Sequence, residues 1–181
     1  MRAKLIIAIC ATALTVGCVS EQTYKAEVKK SDTYEALSRQ LQSEVNADQV
    51  QIQQLQDKLK VTLVDQILFP EGGWQLGRKG EQTLEKIAPT LAGLKNQRIV
   101  VEGYTDNVPI GPELKNRFPS NWELSTARAT DVVRFLASKG VPSNLLAAEG
   151  FGDSRPVAPN DTPAGRAKNR RVEIVITGTN Q

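Results

Sequence analysis

No glycine or proline interrupts the chain from Glu21 to Lys60, a stretch rich in Gln, Glu, Lys, Ser and Asp. A polar run without helix breakers reads as an exposed helix. Its apolar residues Tyr34, Leu37, Leu41, Val45, Ile52, Leu55 and Leu59 follow steps of three and four, the spacing of a coiled-coil seam. The seam is imperfect, because Leu37, Leu41 and Val45 take two successive four-residue steps and Asp48 occupies a seam position. A single helix of this length would reach on the order of 60 Å. The expectation is a helical or coiled-coil tether over residues 18–60, with a homodimer through its seam as one outcome.

The residues ahead of the tether read as a targeting segment. Arg2 and Lys4 form a positive start, Leu5 to Leu14 is an apolar run, and "LTVGC" brings small residues up to Cys18. The apolar run is shorter than the ~20 residues that a bilayer-spanning helix needs. "TVGC" resembles the bacterial lipobox, which implies a signal peptide over 1–17 and lipidation of Cys18. Thr15 departs from the leucine usual at that position, and a plain secretory signal is the alternative. Val19 stands where aspartate would mark inner-membrane retention, so the expected location is the outer membrane, facing the periplasm.

A folded domain is expected over 61–181. "VTLVDQILFP" reads as a strand ended by Pro70 and the Gly72-Gly73 turn. Leu84, Ile87, Leu91 and Leu94 mark a helix face between Leu76 and Leu94, with Pro89 set to kink it. "RIVVEGYT" is a second strand, followed by a proline-rich loop. A helix from about Asn121 to Lys139 comes next, closed by Gly140 with Pro142 beyond. "LLAAEG" is a short strand, "PNDTPAGRAKN" a loop with at most a helical turn, and "RRVEIVIT" the last strand. The order β-α-β-α-β-β predicts an α/β fold, a two-layer sandwich with helices on one face of a mixed sheet.

Composition narrows the chemistry. The chain of 181 residues is 40% hydrophobic and 24% charged with a formal charge of +3, which argues against a strongly basic nucleic-acid binder. It has no histidine, and its two cysteines both lie near the N-terminus. A zinc site or a histidine-based catalytic unit is therefore excluded. No glycosidase pair of carboxylates and no nucleophile–base unit stands out. The chain does not read as an enzyme, and no cofactor or metal is implied.

One residue breaks the pattern. "SNWE" at Ser120 is a capping box, with Glu123 three residues on, so the helix end is directed into the preceding loop. At about 100° per residue, Leu124, Ser125, Ala129, Val132, Val133, Phe135 and Leu136 share one half of this helix. Arg128 falls within that half, whereas Arg134 points to water. An arginine keeps its charge, so burying it requires a carboxylate partner. Asp106, at the end of the second strand, is the nearest candidate by architecture. Two readings stay open: Arg128 pairs structurally with Asp106 or with Asp131, or Asp106 and Arg128 form a clamp for a group carrying both charges.

At these residues a resemblance emerges. "VEGYTDNVP", "NWELSTARA", "GFGDSRPVAPNDT" and "GRAKNRRVEI" resemble the OmpA-like C-terminal domain shared by OmpA, Pal and MotB, and the long loop with "FPSNWELS" is most similar to the MotB branch. The resemblance covers roughly Val61 to Thr177. It implies non-covalent peptidoglycan binding, with the Asp of "TD" and the Arg of "LSxxRA" taking the free amino-acid end of diaminopimelate in the stem peptide. Those residues are Asp106 and Arg128, and the family's helix-start residues map onto Leu124 and Asn121, with Thr105 alongside. Tyr104 stands where histidine is commoner and is read as supporting the strand. Trp74 is read as packing, and Phe69 as either packing or lining the site. The basic cluster Arg166, Lys168, Arg170 and Arg171 is read as salt-bridging at least as readily as ligand-contacting. The implied function is a tether of outer membrane to wall; a MotB-like stator or a secretion or envelope-complex subunit is the alternative.

Overall fold

The computed structural model describes residues 21–178; the signal segment and Cys18 lie outside the described residues. Thirteen elements follow in order: α1 Glu21–Gln40, α2 Gln42–Asn46, β1 Val50–Gln54, β2 Lys58–Val64, α3 Asp65–Leu68, α4 Arg78–Ala92, β3 Gln97–Tyr104, α5 Pro112–Lys115, α6 Asn121–Ser138, a 3₁₀ turn Ser143–Leu145, β4 Leu146–Gly150, α7 Pro163–Asn169 and β5 Arg171–Gly178. The strands form one sheet in the order β1-β2-β5-β3-β4. Only β3 and β4 are parallel, and the other neighbours run antiparallel. The predicted mixed α/β arrangement is present, with α7 a true helix where only a loop with at most a turn was expected.

Alternation sorts the sheet's two faces. Leu59, Val61 and Leu63 of β2, Ile99 and Val101 of β3, and Val172, Ile174 and Ile176 of β5 point to one side and are buried. Against them lie Leu84, Ile87 and Leu91 of α4 and Ala129, Val132 and Leu136 of α6. Helix α4 runs unbroken through Pro89, which sits on its exposed side, where the lost backbone bond costs least. Two glycines set how closely α6 approaches the sheet. A Cβ on Gly103 would lie 2.3 Å from the Ser125 carbonyl oxygen, and one on Gly150 would lie 2.4 Å from the Thr126 nitrogen. Helix α6 therefore rests directly on the backbones of β3 and β4.

The expected helix over 21–60 is corrected by the structure. It ends at Gln40, and after the short α2 the chain turns at Asp48, which adopts a left-handed φ of 55°. That conformation suits Asp better than most residues and stops a helix without glycine. Val50 and Ile52 then alternate with glutamines as a strand, pairing with Leu63 and Val61 of β2. The residues read as a coiled-coil seam are used inside the domain: Leu37 and Leu41 are fully buried in the main core, and Leu59 belongs to the sheet. A homodimer through that seam would lack Leu37, Leu41 and Leu59. The run "VTLVDQILFP" also divides, with Val61–Val64 in the strand and Asp65–Leu68 in one helical turn.

This docking makes a direct prediction. Leu37→Ala removes a fully buried side chain and is expected to destabilise the domain by about 2–5 kcal/mol, read as a lowered urea midpoint. A midpoint equal to wild type would mean that α1 is a free tether.

Candidate functional site

Strand register assembles the site. Arg171 pairs with Val64 on one side and with Tyr104 on the other. The residues just beyond those pairs, Asp65 after β2, Arg170 before β5 and Thr105-Asp106 after β3, therefore line up along one edge of the sheet. The Asp65 N–H donates to the Arg170 carbonyl at 3.0 Å, and the Thr105 N–H donates to the Gly152 carbonyl at 2.8 Å. Helix α6, seated on Gly103, brings Arg128 to the same edge.

All five residues expected at the site, Thr105, Asp106, Asn121, Leu124 and Arg128, line one cleft of about 740 Å³. Their partners differ from the expected ones. Arg128 pairs with neither Asp106 nor Asp131. Its Nη1 lies 3.0 Å from Asp65 Oδ1, and its Nε and Nη2 donate to the Gly73 carbonyl at 3.1 and 2.7 Å. Its guanidinium also stands 5.1 Å over the Phe69 ring. Asp131 instead accepts from the Leu76 N–H at 2.7 Å, fixing the loop before α4.

Asp106 is held from two sides: Arg170 Nη1 donates to its Oδ2 at 2.6 Å, and the Val108 N–H donates to its Oδ1 at 3.1 Å. Asn121 spends its amide on the loop, donating to the carbonyls of Asp106 at 3.3 Å and Val108 at 3.2 Å. The Thr105 hydroxyl donates to the Asp106 carbonyl at 2.9 Å. Below them the Ser125 hydroxyl accepts from the Gly152 N–H at 2.9 Å and ties the following loop to α6. The capping box is present, with the Ser120 N–H donating to Glu123 Oε2 at 2.8 Å and the Ser120 hydroxyl accepting from Trp122 N–H at 3.2 Å.

The electrostatics are unrelaxed. Burial pushes the Asp65 carboxyl above its ordinary range, although Arg128 and then Arg170 pull it down; Asp106 adds to the upward push. Burial also lowers the Arg128 guanidinium against the pull of Asp65, and Arg170 reinforces that fall. Burial thus opposes the charge on both partners of the ion pair, while the guanidinium keeps its charge. Across the whole cleft, Asp65, Glu71 and Asp106 face Arg128, Arg166 and Arg170, so the charges balance. Four of these six charges are paired within the cleft, Asp65 with Arg128 and Asp106 with Arg170.

Other sequence expectations resolve as follows. Phe69 does both things left open, being buried in the core and lining the cleft. Trp74 packs edge-on against Phe118 at 5.7 Å, with Arg117 at 4.3 Å over its ring. Tyr104 is buried between Phe151, at 5.3 Å, and Arg171, at 3.8 Å, and donates to Glu102. Burial and the Glu102 carboxylate raise its phenol well above the ordinary value. The basic cluster divides: Arg171 pairs with Glu173 at 2.7 Å inside the sheet, while Arg170 reaches the cleft. Asp65 and the Gly73 carbonyl were missed. Asp65 sat inside a run read as strand, and a backbone acceptor carries no side-chain signal.

With this geometry in place, the comparisons decide the family. Residues 68–170 match the OmpA family. The chain belongs to the OmpA family. It is 30% identical over 156 residues to Motility protein B of Bacillus subtilis, covering 86% of this chain and 55% of that protein. It is 37% identical over 122 residues to the Peptidoglycan-binding protein ArfA of Mycobacterium tuberculosis, covering 67% of this chain and 35% of that protein. The chain thus spans only part of the length of these relatives. Among solved structures, the cell wall anchor of the T6SS from Pseudomonas aeruginosa superposes with a TM-score of 0.71 at 35% identity, over 78% of this chain and 96% of that one.

The raised Asp65 carboxyl fixes a pH dependence. A carboxyl with a folded-state pKa above its unfolded one binds protons more tightly when native, so its contribution falls as pH rises between the two values. In urea melts across about pH 3 to 7, wild type is expected to lose stability relative to Asp65→Asn as pH rises, by at most about 1.4 kcal/mol per pH unit for one proton. The opposite slope would mean that the attraction of Arg128 outweighs burial.

Proposed function

We propose that this chain is a cell-envelope protein that holds peptidoglycan non-covalently in the cleft at the sheet edge. The observation that carries the reading is the charge-balanced cleft with Asp106 and Arg128 in its walls. The free amino-acid end of diaminopimelate carries an ammonium and a carboxylate on one carbon. Asp106 takes the ammonium, in place of or beside Arg170. Arg128, with three of its donor contacts engaged on Asp65 and Gly73, turns its remaining N–H groups to the carboxylate, and the released Arg170 joins it. Thr105 and Asn121 hold the Asp106 loop in shape, and Leu124 offers apolar contact to the methylene chain of the ligand. The family membership and the wall-binding names of ArfA and the T6SS anchor support this reading.

The same reading assigns Cys18 as the lipidated residue, with the protein on the periplasmic side of the outer membrane and the cleft tying membrane to wall. Capture without catalysis is the role of the site, and repeated wall sites supply avidity even where each contact is weak. The likeness to the T6SS cell wall anchor favours a second reading, in which the same cleft fastens a larger envelope assembly to the wall. A MotB-like stator role needs a spanning helix with an ionisable residue, and among the described residues no helix is long and apolar enough to cross a membrane. The mass of the mature N-terminal peptide separates an anchored lipoprotein from a chain that keeps its first residues.

Titration with diaminopimelate and co-sedimentation with peptidoglycan sacculi test the site. Asp106→Asn keeps the shape and loses the charge; it is expected to weaken binding roughly tenfold to a hundredfold, the range of a charge-assisted hydrogen bond. Arg128→Lys keeps the charge and loses the planar fork, and a comparable loss is expected with the urea midpoint followed as a control on folding. Retention equal to wild type in both variants would remove the assignment.

A further inference from the structure

The strands give the domain a direction. β2 runs from Lys58 to Val64 and β3 from Gln97 to Tyr104, and both finish at the cleft. Their starting ends, some 20 Å away by strand length, form the opposite pole of the domain. The β1–β2 hairpin and the end of β5 lie at that pole as well. Helix α1 crosses there, held in place by Lys30, whose ammonium donates to the carbonyls of Leu55 and Gln56 at 3.1 and 2.8 Å. The chain therefore enters the domain at the pole farthest from the cleft.

That pole has a distinct chemistry. A groove of about 580 Å³ beneath α1 is lined by Lys25, Lys29, Lys30 and Lys95 against only two carboxylates, Glu27 and Asp57. Lys25 pairs with Glu21 on the exposed helix surface and Lys30 with Glu27 at 2.8 Å, whereas among the described residues neither Lys29 nor Lys95 has an ion-pair partner. Two of the exposed large apolar side chains are found here too, Val28 on α1 and Leu55 at the hairpin tip. Cations around a small apolar tip, next to the point where the N-terminal segment joins, match an anionic lipid surface.

We infer that this pole is a membrane-facing surface, on which Lys25, Lys29 and Lys95 contact anionic lipid headgroups while the cleft is presented outward. The inference rests on the lipid-anchored reading and deepens it, because it gives the anchored domain one orientation. Lipid at Cys18 would bring the start of α1 to the bilayer; Lys25 and Lys29 follow within its next turns, and Lys95 lines the same groove from the loop before β3.

The test uses the full lipidated chain in vesicles of phosphatidylcholine with and without phosphatidylglycerol. An amine-reactive acetylating ester is applied, and the rate at each lysine is read by mass spectrometry. Lys25, Lys29 and Lys95 are expected to react about fivefold more slowly on the anionic vesicles, the factor that one lysine's attraction to such a surface carries. High salt is expected to remove the difference, and Lys115, beside the cleft, to react equally on both. Equal rates at all four lysines would overturn the inference. So would protection already present in detergent that grows with protein concentration, since a second copy would then cover the patch. The mass of the N-terminal peptide reports lipidation separately: an unmodified Cys18 overturns the lipid-anchored reading, whereas equal labelling of a chain found lipidated overturns the orientation alone. The double variant Lys29→Ser, Lys95→Ser is expected to sediment with sacculi as wild type does, so loss of the patch and loss of the cleft are read apart.

Discussion

The antiparallel pairing of Arg171 with both Val64 and Tyr104 is the constraint on which the rest depends. It seats β5 between β2 and β3, and it brings the residues that follow or precede those strands to a single edge. Asp65, Arg170 and Asp106 are far apart in sequence and carry no shared local pattern. A one-residue slip in this register would turn every core side chain to the wrong face, so the burial of Leu63, Val172 and Val101 also fixes the charged edge. Arg171 itself is locked by Glu173 at 2.7 Å and stacked on Tyr104 at 3.8 Å. This buried ion pair, on the face of β5 opposite Val172 and Ile174, thus sustains the strand ends that hold the cleft.

Charge burial explains why the cleft is suited to capture. Removing two charges from water is costly: burial opposes the charge on Asp65 and on Arg128, while each favours the charged form of the other. In the proposed reading, a ligand's carboxylate adds a second counter-charge near Arg128 and its ammonium one near Asp106, each already paired within the domain. Asp65 and Arg170 hold the side chains of Arg128 and Asp106 extended into the cleft, and in the proposed reading they are the partners that a ligand joins or replaces. Neither of the two readings posed by the sequence named the structural partner that the structure supplies for Arg128. The pair is Asp65, and it leaves part of the guanidinium available.

Much of this was legible because the signals were local. The capping box at Ser120, the half-helix carrying Arg128 and the strand before Asp106 each depend on residues within a few positions, and each is present. What escaped was non-local or backbone-borne. Asp65 gains meaning only when β2 and β5 are paired, and the Gly73 carbonyl has no residue type to announce it. The error over residues 21–60 has a different cause. Lack of glycine and proline removes a reason for a helix to stop but does not require it to continue; Asp48 took the left-handed turn, and Val50 and Ile52 found a buried sheet edge that outweighed helix propensity. The apolar steps at Leu37 and Leu41 were real, yet they face the domain's own core.

That error changes the mechanics of the whole chain. A free helix over residues 21–60 would act as a spacer on the order of 60 Å, with the domain at its far end. With α1 docked through Leu37 and Leu41 and pinned by Lys30, only its first turns extend ahead of the domain, a rise of about 15 Å over ten residues. A short, clamped link fixes direction as well as distance, because the helix cannot swing independently of the sheet. For a lipid-anchored domain this converts the tether from a flexible lead into a stand. The wall sites within reach are then sampled at high effective concentration, and sites beyond that reach are not sampled at all. Spacing between membrane and wall would be set by the height of the domain itself, from the pole where the chain enters to the edge where Asp106 and Arg128 meet.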